Sequence, residues 1–354
     1  MKKVIALMLA LIMVLSLAAC GGKGSANNAA NTNNAAPAKT PDDYDWPSGT
    51  INVYVPGAAG SNTDLSARIL TDWLGAKYPN ATFNIINEKT GDGTMAMELT
   101  RNAKPDGQTI MFTGSGSNIM YHQGKYQYNV MDPTQFTIVA PAPGGNGQGS
   151  ILLTQPDKPY NNYKEFVQYC NDHPGEVKFA TNTGTTQEMK VKLFLLKHDL
   201  MDKVKLVIAS GNDLVTSLLN GDIHVGLQSE NKAAQYIEAG QLKGLFNNTH
   251  MEDGMSEVTK NIDTYYDLGL LDIAFRAPMY IIAPGNMDEA LAQKICSVIN
   301  EVEKDDATEA KWAKMNSWFY AKSLEQIRSE VKSTDEDCKA VVEGKITKSQ
   351  FGTN

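Results

Sequence analysis

Five histidines, at positions 122, 173, 198, 224 and 250, match none of the spacings that hold zinc, so they read as surface or helix-capping residues and no metal site is expected. Ser229-x-x-Lys232 and Lys89-Thr90-Gly91 mimic two motifs of penicillin-recognising acyl-transferases. They occur in reversed order, however, and no Ser-Asp-Asn accompanies them. Gly91-Asp92-Gly93 reads instead as a turn in which glycine supplies positive φ. No Walker loop and no nucleophile elbow is present. The chain is therefore expected to bind without catalysing: no enzyme, no cofactor. The residues suited to binding are small ones. Ile51–Val55 reads as a buried strand, Pro56–Gly60 as a loop of small residues, and Ser61–Leu65 as the first turn of a helix. Such a junction leaves backbone N–H groups uncovered beside the positive end of a helix dipole, which suits a carboxylate without any lysine or arginine. Ser61-x-x-Asp64 has the form of a capping box, and Leu65, Ile69, Leu70, Trp73 and Leu74 share one helix face. Asp64 thus serves equally as an ordinary cap.

A second strand, Gln108–Phe112, runs into another small-residue loop, Thr113–Asn118. Two such loops at the carboxyl ends of strands in one sheet converge on a crevice, the usual ligand position in open α/β folds. The pattern restarts at Ile151. Strand Val177–Ala180 feeds the loop Thr181–Thr186 and a helix with Met189, Leu193 and Leu196 on one face; Lys205–Ala209 feeds Ser210–Asp213; Val225–Gln228 feeds Ser229–Asn231. Alternating strands and helices imply a parallel-rich sheet in each half. Phe275–Ala283 is apolar enough to cross back into the first half, and helices from Met287 to Val331 complete it.

In these loops the chain resembles the receptors of tripartite tricarboxylate transporters, the Bug-type extracytoplasmic solute-binding proteins. Val55–Asp64 lines up without a gap on the family's first ligand loop, with Pro56, Gly60, Thr63 and Asp64 matching its pattern. Pro105-Asp106-Gly107 matches its following turn, and Ser115 and Gly116 its second loop. Leu218–Val225, Ala239–Leu245 and Ala283-Pro284-Gly285 resemble later family segments in the same order. Gly57, Ala58, Ala59, Ser61 and Asn62 depart from the family pattern and bring two hydrogen-bonding side chains where bare backbone is usual.

The resemblance implies an α/β, two-lobed clam-shell of the periplasmic-binding-protein type (type II-like), with the ligand in the cleft between lobes. One carboxylate of a small organic acid or amino-acid-like ligand would be held by Gly57, Ala58, Ala59, Gly60, Ser61, Asn62 and Asp64 with Gly114, Ser115, Gly116 and Ser117. Thr181, Thr183, Gly184 and Thr185, with Ser229, Glu230 and Asn231, would close over the distal end. The closed form would dock on a two-component membrane permease. Glu230 reads either as a cleft acid or as a solvated acid at a helix start. Arg276, near the return crossing, is the rival anchor for the carboxylate. A ligand-sensing accessory protein with a signalling partner would share all of these residues.

The amino terminus agrees. Lys2-Lys3 precedes the apolar run Val4–Ala19, and Leu17-Ala18-Ala19-Cys20 has the form of a lipobox, so residues 1–19 read as a lipoprotein signal peptide and Cys20 as the lipidated residue. Gly21 rather than Asp follows it, which favours the surface of a single-membrane cell over a periplasm. Residues 20–46, rich in Asn, Ala and Gly, read as a flexible tether spanning about 25–30 Å. The expected partition is then 47–150 for lobe 1, 151–274 for lobe 2 and 275–354 for the return to lobe 1 and the C-terminal helices. The formal net charge is −8, and loss of Lys2 and Lys3 makes it more negative; with no basic stripe, nucleic-acid binding is excluded. A monomer is expected. Cys170, Cys296 and Cys338 allow at most one bridge, with Cys296–Cys338 as one arrangement and buried free thiols as the other.

Overall fold

The computed structural model describes residues 39–144, 149–182, 185–209, 211–248, 257–270, 273–275, 277–315 and 317–345. The leader, Cys20, Thr183, Gly184, His250 and Arg276 lie outside the described residues.

Lobe 1 begins with β1 (Gly49–Val55), α1 (Asn62–Lys77), β2 (Ala81–Asn87), α2 (Thr94–Arg101), β3 (Thr109–Gly114), α3 (Ser115–His122) and β4 (Phe136–Pro141). The chain then enters lobe 2: β5 (Ser150–Thr154), α4 (Tyr163–Asp172), β6 (Lys178–Thr181), α5 (Thr186–Lys197), β7 (Lys205–Ile208), α6 (Gly211–Asn220), β8 (Val225–Ser229), α7 (Glu230–Glu238), β9 (Lys243–Asn247) and α8 (Tyr265–Leu268). It returns through β10 (Met279–Pro284) and ends in α9 (Glu289–Asn300), α10 (Asp306–Ala313) and α11 (Leu324–Val342).

Each lobe is built on one five-stranded sheet, ordered β2-β1-β3-β10-β4 and β7-β6-β8-β5-β9. The two orders are the same pattern. Three strands run parallel at one side, and the fourth runs antiparallel to both its neighbours. That fourth strand is β5 or β10, the one that arrives from the other lobe. The sheets are therefore mixed rather than simply parallel-rich, because a crossing strand enters with reversed direction and apolar periodicity does not encode direction.

β1 and β3 are central strands, and Ile51, Val53, Val55, Ile110, Met111 and Phe112 are almost fully buried. Ser61 caps α1 by accepting the Asp64 N–H at 3.3 Å. The buried face of α1 runs through Ala67, Leu70, Thr71 and Leu74, and each buried leucine contributes roughly 1.5–3 kcal/mol. Leu65, expected on that face, is 37% exposed, because the stripe through Asp64, Ala67 and Leu74 turns it outward. The supposed tether also ends early: Pro41–Asp43 form a short 3-10 turn, and Trp46 is buried and donates its indole N–H to Gly107 O at 2.9 Å.

Among the C-terminal helices, α11 bridges the lobes. Its Leu324, Ile327 and Val331 join the lobe 1 core, whereas its Cys338 and Val341 join the core of lobe 2. Cys170, Cys296 and Cys338 are free and buried, and burial raises all three thiols. The Cys296–Cys338 bridge is not formed: Cys296 belongs to the lobe 1 core and Cys338 to that of lobe 2.

Candidate functional site

The first loop is held from beneath by Asp64, which is 1% exposed. Its Oδ2 accepts the Gly60 N–H at 2.8 Å and Arg68 Nε at 3.0 Å, and its Oδ1 accepts Asn87 Nδ2 at 2.8 Å. Asn87 also donates to Gly57 O, tying the loop to the end of β2. The capping box is thus only half made: Ser61 caps, but the Asp64 carboxylate passes the cap residue and closes on Gly60. Burial alone would raise the Asp64 carboxyl, but Arg68, the Gly60 N–H and Asn87 together hold it below its ordinary range. Asp64 is therefore a positioning residue with no oxygen turned to the cleft. The N–H groups of Gly60 and Ser61 are used internally, the latter on Ala58 O at 3.1 Å. Those of Ala58, Ala59, Asn62 and Thr63 have no partner among the described residues, and Ala58, Ala59, Gly60 and Asn62 are exposed. A lip of uncommitted backbone donors is what remains, the kind of group that suits an anion.

The second loop collapses to a direct junction. Thr113 and Gly114 belong to β3, and α3 starts at Ser115. A Cβ at Gly114 would lie 2.6 Å from Met279 Sδ and 3.2 Å from Pro278 O, so a side chain there would require Met279 to shift. Ser115 Oγ lies 3.1 Å from Thr186 Oγ1 at the start of α5, a contact between lobes. Gly116 is half-buried with open space around it. Ser117 does not serve the cleft: it is buried and shares its hydroxyl with Gly114 O and Tyr280 Oη, each at 2.8 Å. Tyr280 donates on to Asn118 Oδ1, and Asn118 and His122 both bond Asp335 of α11. His122 is accordingly a partly buried link between helices rather than a freely solvated surface residue.

In lobe 2, Thr185 caps α5 by accepting the Glu188 N–H, and its hydroxyl donates to Asn182 O. Thr181 is buried, and its hydroxyl has no partner among the described residues. Glu230 is neither a solvated acid nor an open cleft acid. It is 8% exposed, accepts a short hydrogen bond from Thr259 Oγ1, and its N–H donates to Gly149 O. Ser229 is exposed at the end of β8. Asn231 is the second residue of α7, and its side chain lies outside the described set.

A cavity of about 280 Å³ opens where the two crossing strands meet lobe 2. Its walls include Ser150, Thr186, Gln187, Lys190, Gln228, Ser229 and Met279. Of the residues expected from the sequence to hold ligand, Ser229 alone lines it, with Thr186 from the end of the Thr181–Thr186 loop beside it. Met279 packs against Gly114, and Thr186 touches Ser115, so the cavity abuts the second loop of lobe 1. Lys190 is the one charged residue among those lining it. It makes no ion pair or hydrogen bond among the described residues, and burial pushes its ammonium down to about 8. The signal for it was Thr186-x-x-x-Lys190, one helical turn from a helix start at the cleft. No cluster of metal-ligating side chains occurs among the described residues.

Comparison with known proteins decides the family. The model of the tripartite tricarboxylate transporter family receptor, TctC, matches residues 68–344. The chain belongs to this family. Among TctC relatives, the protein BugT of Bordetella pertussis is 23% identical over 267 residues, covering 74% of this chain and 78% of the relative. MatC from Rhodopseudomonas palustris, solved with bound malate, superposes with a TM-score of 0.64 at 21% identity, over 84% of this chain and 100% of the other. The R. palustris protein Rpa4515, solved with adipate, superposes with a TM-score of 0.66 at 18% identity, over 85% and 98%. These two structures share the two-lobed fold with the present TctC receptor. A member of this family is a solute-binding receptor of a transport system, not an enzyme.

Proposed function

We propose that this receptor captures a small carboxylate-bearing solute between its lobes, outside the cytoplasmic membrane, and hands it to a two-component membrane permease. The observation that carries this reading is the cavity at the lobe junction, lined by hydroxyl and amide side chains and one lysine; the N–H groups of Ala58, Ala59, Asn62 and Thr63, without partners among the described residues, support it from lobe 1. Malate and adipate in the two similar structures support an aliphatic carboxylate of modest length. One carboxylate sits on the lobe 1 loops through backbone donors, and lobe 2 covers the rest. Because such a ligand touches both lobes, it stabilises the closed arrangement by its differential affinity. Lipid attachment at Cys20 and a single-membrane cell surface complete the reading, supported by the lipobox and by Gly21. The receptor acts as a monomer.

A thermal-shift panel of mono-, di- and tricarboxylates, amino acids and aromatic acids tests it. A true ligand at 100 times its Kd stabilises the fold by about 2.7 kcal/mol, a shift of roughly 2–4 °C per kcal/mol for lobes of this size. A panel in which amino acids or aromatic acids shift the melting point and no aliphatic acid does would replace the substrate class.

A further inference from the structure

We propose that Lys190 is the residue by which this receptor selects dianionic over monoanionic solutes, its ammonium pairing with the carboxylate distal to the one held on lobe 1. The inference rests on the receptor reading above and adds to it the residue that reads the second charge.

Three observations meet at Lys190. It lines the cavity that both crossing strands help to wall, and the other lining residues carry no charge. It stands one turn into α5 from Thr186, whose hydroxyl touches Ser115 of the lobe 1 loop, so a solute anchored at that loop has its far end within the reach of a lysine side chain. It has no carboxylate of its own: Glu188, two residues earlier, is engaged by Lys192 at 2.8 Å and by Gln123 of lobe 1 at 2.9 Å.

The cost of placing it there is visible in the helix. α5 buries Glu188, Met189, Val191, Leu193, Phe194 and Leu195. Lys190 is left half-buried among them. A cation so placed without an anion is unfavourable, and burial lowers its proton affinity accordingly. A ligand carboxylate removes that penalty and gains a charge-assisted hydrogen bond in a poorly hydrated site. A monocarboxylate of equal length leaves the ammonium uncompensated against its apolar end.

Isothermal titration at pH 7 decides this. Wild type, Lys190→Met, Lys190→Gln and Lys190→Arg are each titrated with straight-chain dicarboxylates from malonate to adipate and with the monocarboxylates of the same carbon number. Wild type is expected to bind its best dicarboxylate tenfold or more tighter than the matching monocarboxylate, the range of a hydrogen bond to a charged group. Lys190→Met and Lys190→Gln should bring that ratio to within about twofold by weakening the diacid alone, and Lys190→Arg should keep most of it. Monocarboxylate binding in the variants reports that the cleft is intact, and the two neutral replacements guard against one that folds poorly. A neutral variant that retains the wild-type ratio overturns the role of Lys190 while leaving the receptor reading in place. Absence of binding by wild type to every acid overturns both.

Discussion

The hydroxyl of Ser115, first residue of α3 in lobe 1, lies 3.1 Å from that of Thr186, first residue of α5 in lobe 2. Two helix starts, one from each lobe, therefore face the same point, and an anion near it is served by both dipoles. A double-mutant cycle with Ser115→Ala and Thr186→Val should give a coupling energy of about 0.5–1.5 kcal/mol in urea unfolding, as for a neutral hydrogen bond. Additive effects would mean that the hydroxyls do not meet in solution.

Asp64→Asn should destabilise the ligand-free protein by about 1–3 kcal/mol at pH 7, since a buried acceptor of three hydrogen bonds is replaced by a group that cannot satisfy all of them. The Asp64 carboxyl is held below its ordinary value of 3.8 in the folded chain. Its contribution is therefore complete above that value and lost as pH falls through the lower folded value. Melting curves of wild type and variant should converge below about pH 4 by this linkage; a constant difference down to about pH 2 would contradict it.

Gly60 has φ of +80° and open space where a Cβ would stand. The need for glycine there is conformational rather than steric. Gly60→Ala should cost about 1–2 kcal/mol in stability, and Gly60→Asn should cost less because asparagine tolerates the left-handed region. Equal losses for the two, read by urea denaturation, would point to crowding instead.

The positions legible from composition are those whose cause is local backbone geometry. Gly57–Gly60 and Gly114 stand out because small residues cluster after an apolar run, and Gly91 and Gly93 do adopt positive φ, 62° and 93°. Gly285 of the Ala283-Pro284-Gly285 segment has an equally local cause: a Cβ there would sit 2.2 Å from Thr134 O. Strand direction was hidden, because β5 and β10 are apolar runs like their parallel neighbours. Residues whose role depends on distant packing were hidden too. Ser117 looks like a loop serine until Tyr280 comes to meet it, and Glu230 looks like a solvated cap until Thr259 covers it. Lys190 stands between Glu188 and Lys192 in sequence, where a lysine reads as a solvated helix position; its isolation depends on the cavity that the remote residues Ser150 and Met279 help to form.

Lys190 also makes a prediction without ligand. Its folded value, about 8, is below the ordinary 10.5. Between those values the unfolded chain holds a proton that the folded chain has released, so this group's contribution to stability rises with pH. Lys190→Met should therefore be more stable than wild type at pH 7, with the advantage shrinking as pH rises above about 8. Parallel stability curves across that window, measured in urea, would show that the ammonium is well hydrated.

Membrane attachment is tested at Cys20. Cys20→Ser should leave unprocessed precursor or release the protein from the membrane fraction, and metabolic lipid labelling should be lost. Retained label in this variant would assign the modification to another residue.

The placement of α11 bears on how solute gets in and out. With Ile327 and Val331 in one core and Cys338 in the other, and with Asp335 bonded to Asn118 and His122 between them, the helix acts as a torsion rod laid across the two lobes. The lobes can rotate about such a rod but cannot separate along it without breaking buried contacts in both. A motion that parts the lobes would keep these contacts only by turning about the helix, so a twist costs less than a separation along it.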